Sequence, residues 1–551
     1  MNIKELFKYV PQKDYDFTLI PKKFPEPTGS PIDKKIDTNI NTNLKIIQSI
    51  YNVKVNSDIK IREFTLTAKD TEFKAFLLYI DGMVDSKTIN DFVLNALMLR
   101  NSSNTFTDYS NDNPPNINLS VKKVKKIDLE NYIYLKLMPQ NALKKITEFS
   151  EIISSVNSGN CALFVDTISV AYDIDAKGFK QRSVDTPNNE VIINGPQEAF
   201  VENIRTNTSL LRRIVNNENL TIENLTVGSI SKTAVAVCYM QNIANQELID
   251  EVKFRINNLE LDTLLSTGQL SQLIQENDAI NIPSLLETER PDKCAKSLIQ
   301  GRIVLIINGN PYALILPAVL TDFLSSPEDS NLKVLFANFL KVLRVLAYFI
   351  TLLGPGLFVA ITGFHHELLP TELLFSILAS RQYVPFPIIF ELLLMEFSFE
   401  LIRESGLRVP APIGGTLGIV GALILGDAAV SAHIVSPILI IVVAITGLSS
   451  FAIPDFTFSF HLRVYRFLFT LLGYGAGFVG IGAGLLVYVN VLCSMKSFGV
   501  SFTSPLTHSL SRRPNGYFEQ PAWKDENREN FLAPKKKHSQ PPISKKWRLM
   551  H

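Results

Sequence analysis

The stretch PFPIIFELLLMEFSFELIRESGLRVP, from Pro385 to Pro410, lies in the most apolar third of the chain and still carries Glu391, Glu396, Glu400 and Glu404. About 20 apolar residues suffice to cross a bilayer, and a carboxylate at its centre costs roughly 2.5 kcal/mol or more. Four acids in such a segment therefore demand water, arginine or the headgroup level as partners. From Val345 to about Cys493 the sequence is almost continuously apolar, with Gly and Pro scattered through it, whereas residues 1 to about 331 are charged and mixed. That contrast predicts an α/β cytosolic region of two small lobes followed by an α-helical multi-pass membrane domain.

Five apolar segments can be drawn. Residues 345–363 are uncharged but interrupted by Gly354, Pro355 and Gly356, a break whose freed backbone groups need neighbouring helices or water; these three residues are hinge candidates. The acid-bearing stretch is second. Residues 413–432 are rich in small residues and carry Asp427, residues 434–453 are uncharged, and residues 467–495 are Gly-rich and longer than one span requires. Small residues allow close helix contact, within one bundle or between subunits. Lys341, Arg344, Arg403, Arg408, Arg463 and Arg466 flank alternate segments, and the positive-inside rule then places the N-terminal region in the cytoplasm. Five crossings would leave the basic tail outside. A cytoplasmic tail, the expectation adopted, needs the fifth segment to fold back or one segment to be re-entrant, so four or five spans are expected.

The remainder divides by composition. Residues 1–42 are Lys- and Pro-rich without periodicity, a flexible leader. Residues 43–185 form a first α/β subdomain, with strands at REFTL, AFLLYIDGMV, NYIYLKLM and ALFVDTISVAYDI and helices at DSKTINDFVLNALML and NALKKITEFSEIISSV. Residues 186–330 form a second, in which GRIVLIINGNPYALILP reads as a hairpin turning at Asn308–Gly309. Residues 331–500 are the membrane domain, and residues 501–551 a basic disordered tail. Arg205, Arg212 and Arg213 on one helix suit a solvated face or an inter-lobe salt bridge better than an anion site.

The net charge of +1 gives no support for nucleic-acid binding. Cys161, Cys238, Cys294 and Cys493 match no metal spacing and read as reduced, buried residues. No Walker loop, GxGxxG, GxSxG or HExxH is present, so no enzyme, cofactor or metal site is expected. His365, His366 and Glu367 suit a solvated turn better than a metal or proton site.

At 100° per residue Glu396, Glu400 and Glu404 fall within about 80° of one another, a stripe on one helix face, with Glu391 opposite. Such a stripe cannot face lipid. It meets arginines such as Arg381, Arg403 or Arg408 as structural ion pairs, or, with Asp427, it lines a cation path.

Many separate motifs, in order and spacing, give this chain a family resemblance. They are YIDGMVD (79–85), NGPQEAFVENIRTNTSLLRR (194–213), TERPD (288–292), GRIVLIINGNP (301–311), SPED (326–329), LGPGLFVAITGFHHELLP (353–370), VPFP, ESGLRVP (404–410) and GIVGALILGDAAVSA (418–432). The chain resembles the A subunits of GerA-type spore germinant receptors. The resemblance implies a protein of the spore inner membrane that works with a permease-like B subunit and a lipoprotein C subunit. It also implies a homo-oligomer around a central path for monovalent cations. One departure is Lys341, where the family usually carries Arg; lysine is a point charge, not a fork. The rival readings are a secondary transporter and a non-conducting scaffold subunit.

Overall fold

The computed structural model describes residues 17–19, 34–68, 71–98, 126–139, 142–178, 187, 190–276, 281–408, 426–506, 517–541 and 545. In the first lobe, helix α1 (Ile40–Ile50) starts at Asn39, whose side chain accepts the Asn41 N–H. Strands β1 (Ile59–Ala68) and β2 (Thr71–Ile80) form a long hairpin in the register Ile59↔Ile80. After β3 (Leu143–Ile146), α2 (Phe149–Asn157), β4 (Cys161–Val165) and β5 (Ala171–Ile174), the antiparallel sheet has the order β1-β2-β4-β5-β3. Period-2 alternation gives Leu77 to one core and Phe76 and Leu78 to the other, so the sheet is covered on both faces.

The second lobe repeats this plan. Helix α3 (Ile204–Ile214), β6 (Leu220–Val227), β7 (Thr233–Met240), α4 (Gln246–Asn257), α5 (Thr267–Ile274), β8 (Leu286–Thr288), α6 (Pro291–Gln300), β9 (Ile303–Ile307) and β10 (Ala313–Leu316) build a sheet of order β6-β7-β9-β10-β8. The helix caps repeat as well: Asn203 opens α3 as Asn39 opens α1, and Asn245 opens α4 as Asp85 opens the helical turns from Ser86. YIDGMVD (79–85) and YMQNIAN (239–245) thus occupy one structural position twice, an internal duplication absent from the sequence reading. The β9–β10 hairpin turns where expected, with Gly309 at φ 88°.

Two expected elements change type. NYIYLKLM is helical, because Leu129, Ile133 and Leu137 at i, i+4 and i+8 bury one face against the sheet. The single helix expected over NALKKITEFSEIISSV splits into β3, an edge strand, and α2. The lobes meet through α3: Arg212 bonds Asp58 with Nε–Oδ2 2.8 Å and Nη2–Oδ1 2.9 Å, and Arg205 pairs with Asp81. Arg213 pairs with Glu198. Cys161, Cys238 and Cys294 are buried thiols, whereas Cys493 is exposed, a correction to the expectation.

The helical region comprises α7 (Val334–Phe364), α8 (Thr371–Arg381), α9 (Ile388–Arg408), α10 (Pro437–Phe451) and α11 (Phe456–Ser494). Among the described residues, α7 and α11 are long and apolar enough to cross a membrane. The break expected in the first segment is not there, since α7 runs through Gly354, Pro355 and Gly356. The break lies in α11 at Ala476 and Gly477, where φ is −144° and 56°. Two arms fold back on each other there, with Phe469 edge-on to Tyr488 and His461 Nε2 3.3 Å from Tyr488 Oη. At the far end His365 stacks on Phe478 with ring centroids 4.4 Å apart, and His366 and Glu367 are exposed.

Beyond α11 a short hairpin, β11 (Lys496–Ser497) with β12 (Val500–Ser501), returns to the second lobe, where Ser497 Oγ donates to Ser284 O at 2.7 Å. The tail expected to be disordered is corrected over residues 517–541, which pack on that lobe: Arg528 Nε donates to Ile299 O at 2.7 Å and the Lys535 N–H to Ile243 O at 2.8 Å.

Candidate functional site

Helix α9 starts at the far end, where Ile388 and Leu392 pack with Val359 of α7 and Leu439 of α10. It ends at the near end, beside the lobes, where Arg403 Nη2 donates to Ser450 Oγ at 2.6 Å. Helix α10 runs the same way, from Ser436 beside Glu391 to Ser450, whose carbonyl accepts from Ser459 Oγ at 2.8 Å. Close approach needs Gly447, where an added Cβ would meet the Phe399 ring at 2.5 Å.

The acid stripe meets arginine. Glu400 Oε2 lies 2.6 Å from Arg463 Nη1 and its Oε1 3.1 Å from Arg466 Nη2, both on the first arm of α11. Glu396, fully buried, has Oε1 3.3 Å from Arg466 Nε, and neither of its oxygens accepts a hydrogen bond among the described residues. Arg403 Nη1 stands 3.8 Å from Glu400 and the guanidinium lies over the Phe399 and Phe451 rings. Two carboxylates against three guanidiniums leave one excess positive charge in the cluster. Glu391, on the opposite face, is fully buried, takes Arg381 at 3.0 Å and accepts the Ser436 N–H at 3.1 Å.

Of the sequence candidates, then, Glu396 and Glu400 converge on one cluster, whereas Glu404 and Asp427 are exposed. Residues 409–425, which include most of the third apolar segment (413–432), and the Arg408 side chain lie outside the described residues. Sequence reasoning missed Arg463 and Arg466 as the partners; their position ahead of an over-long apolar segment was the available signal. Gly356 is accounted for by packing: a Cβ there would lie 2.6 Å from Phe469 O, and one at Gly473 2.5 Å from Gly356 O. Among the described residues no group of three or more His, Cys, Asp or Glu is placed to hold a metal.

A second polar cluster joins α7 to the second lobe. Arg344 Nη1 bonds Asp329 Oδ2 at 2.6 Å, and Asp329 also accepts the Ser326 N–H at 3.0 Å. Lys341 Nζ donates to Tyr517 O at 2.7 Å and Glu519 Oε1 at 3.0 Å. Lys341 thus serves as a compact donor to several acceptors, a use suited to lysine. Burial pushes the Tyr517 hydroxyl up to about 12.

Two α/β lobes are joined by buried ion pairs to a helical bundle in which, among the described residues, α7 and α11 are long and apolar enough to cross a membrane. The profile of the family described as Bacillus/Clostridium GerA spore germination protein matches residues 45–531, and the chain belongs to that family. It is 36% identical over 479 residues to spore germination protein KA of Bacillus subtilis (strain 168), covering 87% of this chain and 84% of that one. It is 31% identical over 450 residues to spore germination protein GerLA of Bacillus cereus, covering 82% and 87%. The solved N-terminal domain of the A subunit of the Bacillus megaterium spore germinant receptor GerK3 aligns at 28% identity with a TM-score of 0.38, over 52% of this chain and 98% of that one.

Proposed function

We propose that the chain is the A-type subunit of a nutrient germinant receptor in the spore inner membrane, non-enzymatic, and part of the gated path by which monovalent cations leave the spore. Its partners are a permease-like B subunit, a lipoprotein C subunit, membrane lipid and further copies of itself. Nutrient bound on a partner shifts a closed-to-open equilibrium, which needs a few kcal/mol of preference for the open state. Helices α7, α9 and α10 and the two arms of α11 are five passes between the near and far ends. Helices α9 and α10 run parallel, both from the far end to the near end. The second arm of α11 returns the chain to the side of the lobes, where the tail segment packs, and the basic residues at the near end make that side cytoplasmic.

The observation that carries the mechanism is the pairing of Glu396 and Glu400 of α9 with Arg463 and Arg466 of α11. It supports a resting clamp between two passes over an acid-lined path within one chain. We assign to Glu404 and Asp427, both exposed, the role of meeting cations between copies. The test is nutrient-triggered potassium release from spores carrying Glu396→Gln, Asp427→Asn, or the charge swap Glu400→Arg with Arg463→Glu. Altered release kinetics at normal chain abundance are expected. Release unchanged in all of them supports the non-conducting scaffold instead.

A further inference from the structure

The tail segment 517–541 is anchored unequally at its two ends. On the second lobe it is fixed deeply: Arg302, nearly buried, sits between Asp322, with Nη1–Oδ2 at 2.5 Å, and Glu529 at 2.8 Å. Burial alone would lower Arg302, but the two carboxylates outweigh it and hold it above its ordinary value. Arg528 donates to the carbonyls of Ile299, Lys536 and His538. Asn245 Nδ2 donates to Ala533 O at 3.3 Å, and Leu532 is fully buried. At α7 the attachment is polar, buried on the helix side at Lys341 and partly exposed on the tail side at Phe518 and Glu519. Asn338 and the Glu519 backbone exchange two hydrogen bonds, of 2.8 and 3.1 Å, Lys341 holds Tyr517 O and Glu519, and Phe518 between them is exposed. Tyr517 Oη closes the contact by donating to Leu324 O at 3.0 Å and lying 3.3 Å from Lys341 O.

We propose that residues 517–519 are a releasable latch on the first turns of α7, restraining that helix against the second lobe in the resting state, with residues 528–535 as its permanent anchor. The physical reason is the contrast between the ends. One end places two carboxylates on buried Arg302 and buries Leu532, whereas at the other the tail contributes a single ion pair, from the partly exposed Glu519 to Lys341, and a few hydrogen bonds from half-buried residues beside the exposed Phe518. Because α7 continues into the bundle and packs through Gly356 against the first arm of α11, release at its base frees the helix that α9, α10 and α11 adjoin. The latch's role in gating rests on the receptor reading; its existence as a contact does not.

The test uses the full chain in spores and, separately, solubilised in detergent. The unlatched variant is Lys341→Met with Glu519→Gln, which leaves the Arg302 anchor untouched. The locked variant is Asn338→Cys with Glu519→Cys in a Cys493→Ser background. Oxidation of the solubilised locked chain is expected to form the 338–519 disulfide, and failure to form it overturns the contact. In spores, with yeast-extract medium as the nutrient probe, the unlatched variant is expected to germinate at concentrations lower by about fivefold or more. Oxidised locked spores are expected to slow by a similar factor and recover with dithiothreitol. An unlatched variant that is equally or less responsive at normal abundance, or a cross-link that forms without slowing germination, overturns the restraint. If spores lacking the chain respond to that medium as wild type does, the receptor reading falls, and the latch contact is decided by the disulfide alone.

Discussion

Glu400→Gln is the perturbation that most directly probes the cluster. The change keeps size and an acceptor oxygen but removes the charge that Arg463 approaches to 2.6 Å and Arg466 to 3.1 Å. The cluster then holds one carboxylate against three guanidiniums, and Arg463, 6% exposed, loses its carboxylate partner. Removing one member of a buried pair typically costs about 3–5 kcal/mol, and the retained amide oxygen places this case near the lower bound, about 3 kcal/mol. At roughly 2–4 °C per kcal/mol for a unit of this size, thermal unfolding of the purified chain in detergent should fall by about 6–12 °C. The decisive measurement is the double-mutant cycle with Arg463→Gln. The double variant removes the orphaned guanidinium and should recover a coupling of about 1 kcal/mol or more. Additive single effects, or a Glu400→Gln chain within 1 °C of wild type, would refute the clamp.

Gly356→Ala should destabilise the bundle by about 1–3 kcal/mol, because its Cβ meets backbone at Phe469 O and backbone cannot swing aside. Gly363→Ala, which meets nothing within 4 Å, should be neutral or slightly stabilising; equal melting shifts would dismiss the close-packing account. In the second lobe, burial first, then the charge of Asp455, push the Glu287 carboxyl above its ordinary 4.5, while Thr267 pulls it back. The folded state therefore holds this proton more tightly than the unfolded chain. Its contribution is fully favourable below pH 4.5 and is lost as pH rises through the folded value. Glu287→Gln should gain in melting temperature over wild type as pH rises above 4.5, and a difference independent of pH would count against the assignment.

Much of this architecture was legible because short-range physics decided it. The Asn308–Gly309 turn and the helix faces follow local rules, and the wheel separated Glu391 from the stripe before Arg381 and Ser436 appeared as its partners. What failed depended on distance along the chain. NYIYLKLM has strand-like composition, yet the Leu129, Ile133, Leu137 face decided for helix once a sheet lay beneath it. The tail is basic and polar, and only the carbonyls and carboxylates of a preformed lobe give Arg528 and Lys535 their places. The partners of Glu400 lie 63 and 66 positions away, beyond any local pattern.

One arithmetic step would have brought those partners closer. As one helix the apolar run 467–495 would extend about 44 Å at 1.5 Å per residue, well beyond a hydrocarbon core of about 30 Å. An apolar segment of that length in a membrane must tilt beyond reason or fold back, and Gly477, at φ 56°, supplies the residue that can turn. Folding back has two consequences. It sets Arg463 and Arg466 about 8–12 Å along the first arm from Phe458, which stacks on Phe323 of the second lobe, at the level where α9 arrives with Glu400. It also returns the second arm to that lobe, where β11 and the tail segment can reach Ser284, Arg302 and Lys341. The carboxylates tolerated in the second segment and the polar contacts at the base of the first thus share one cause, the turn in the last.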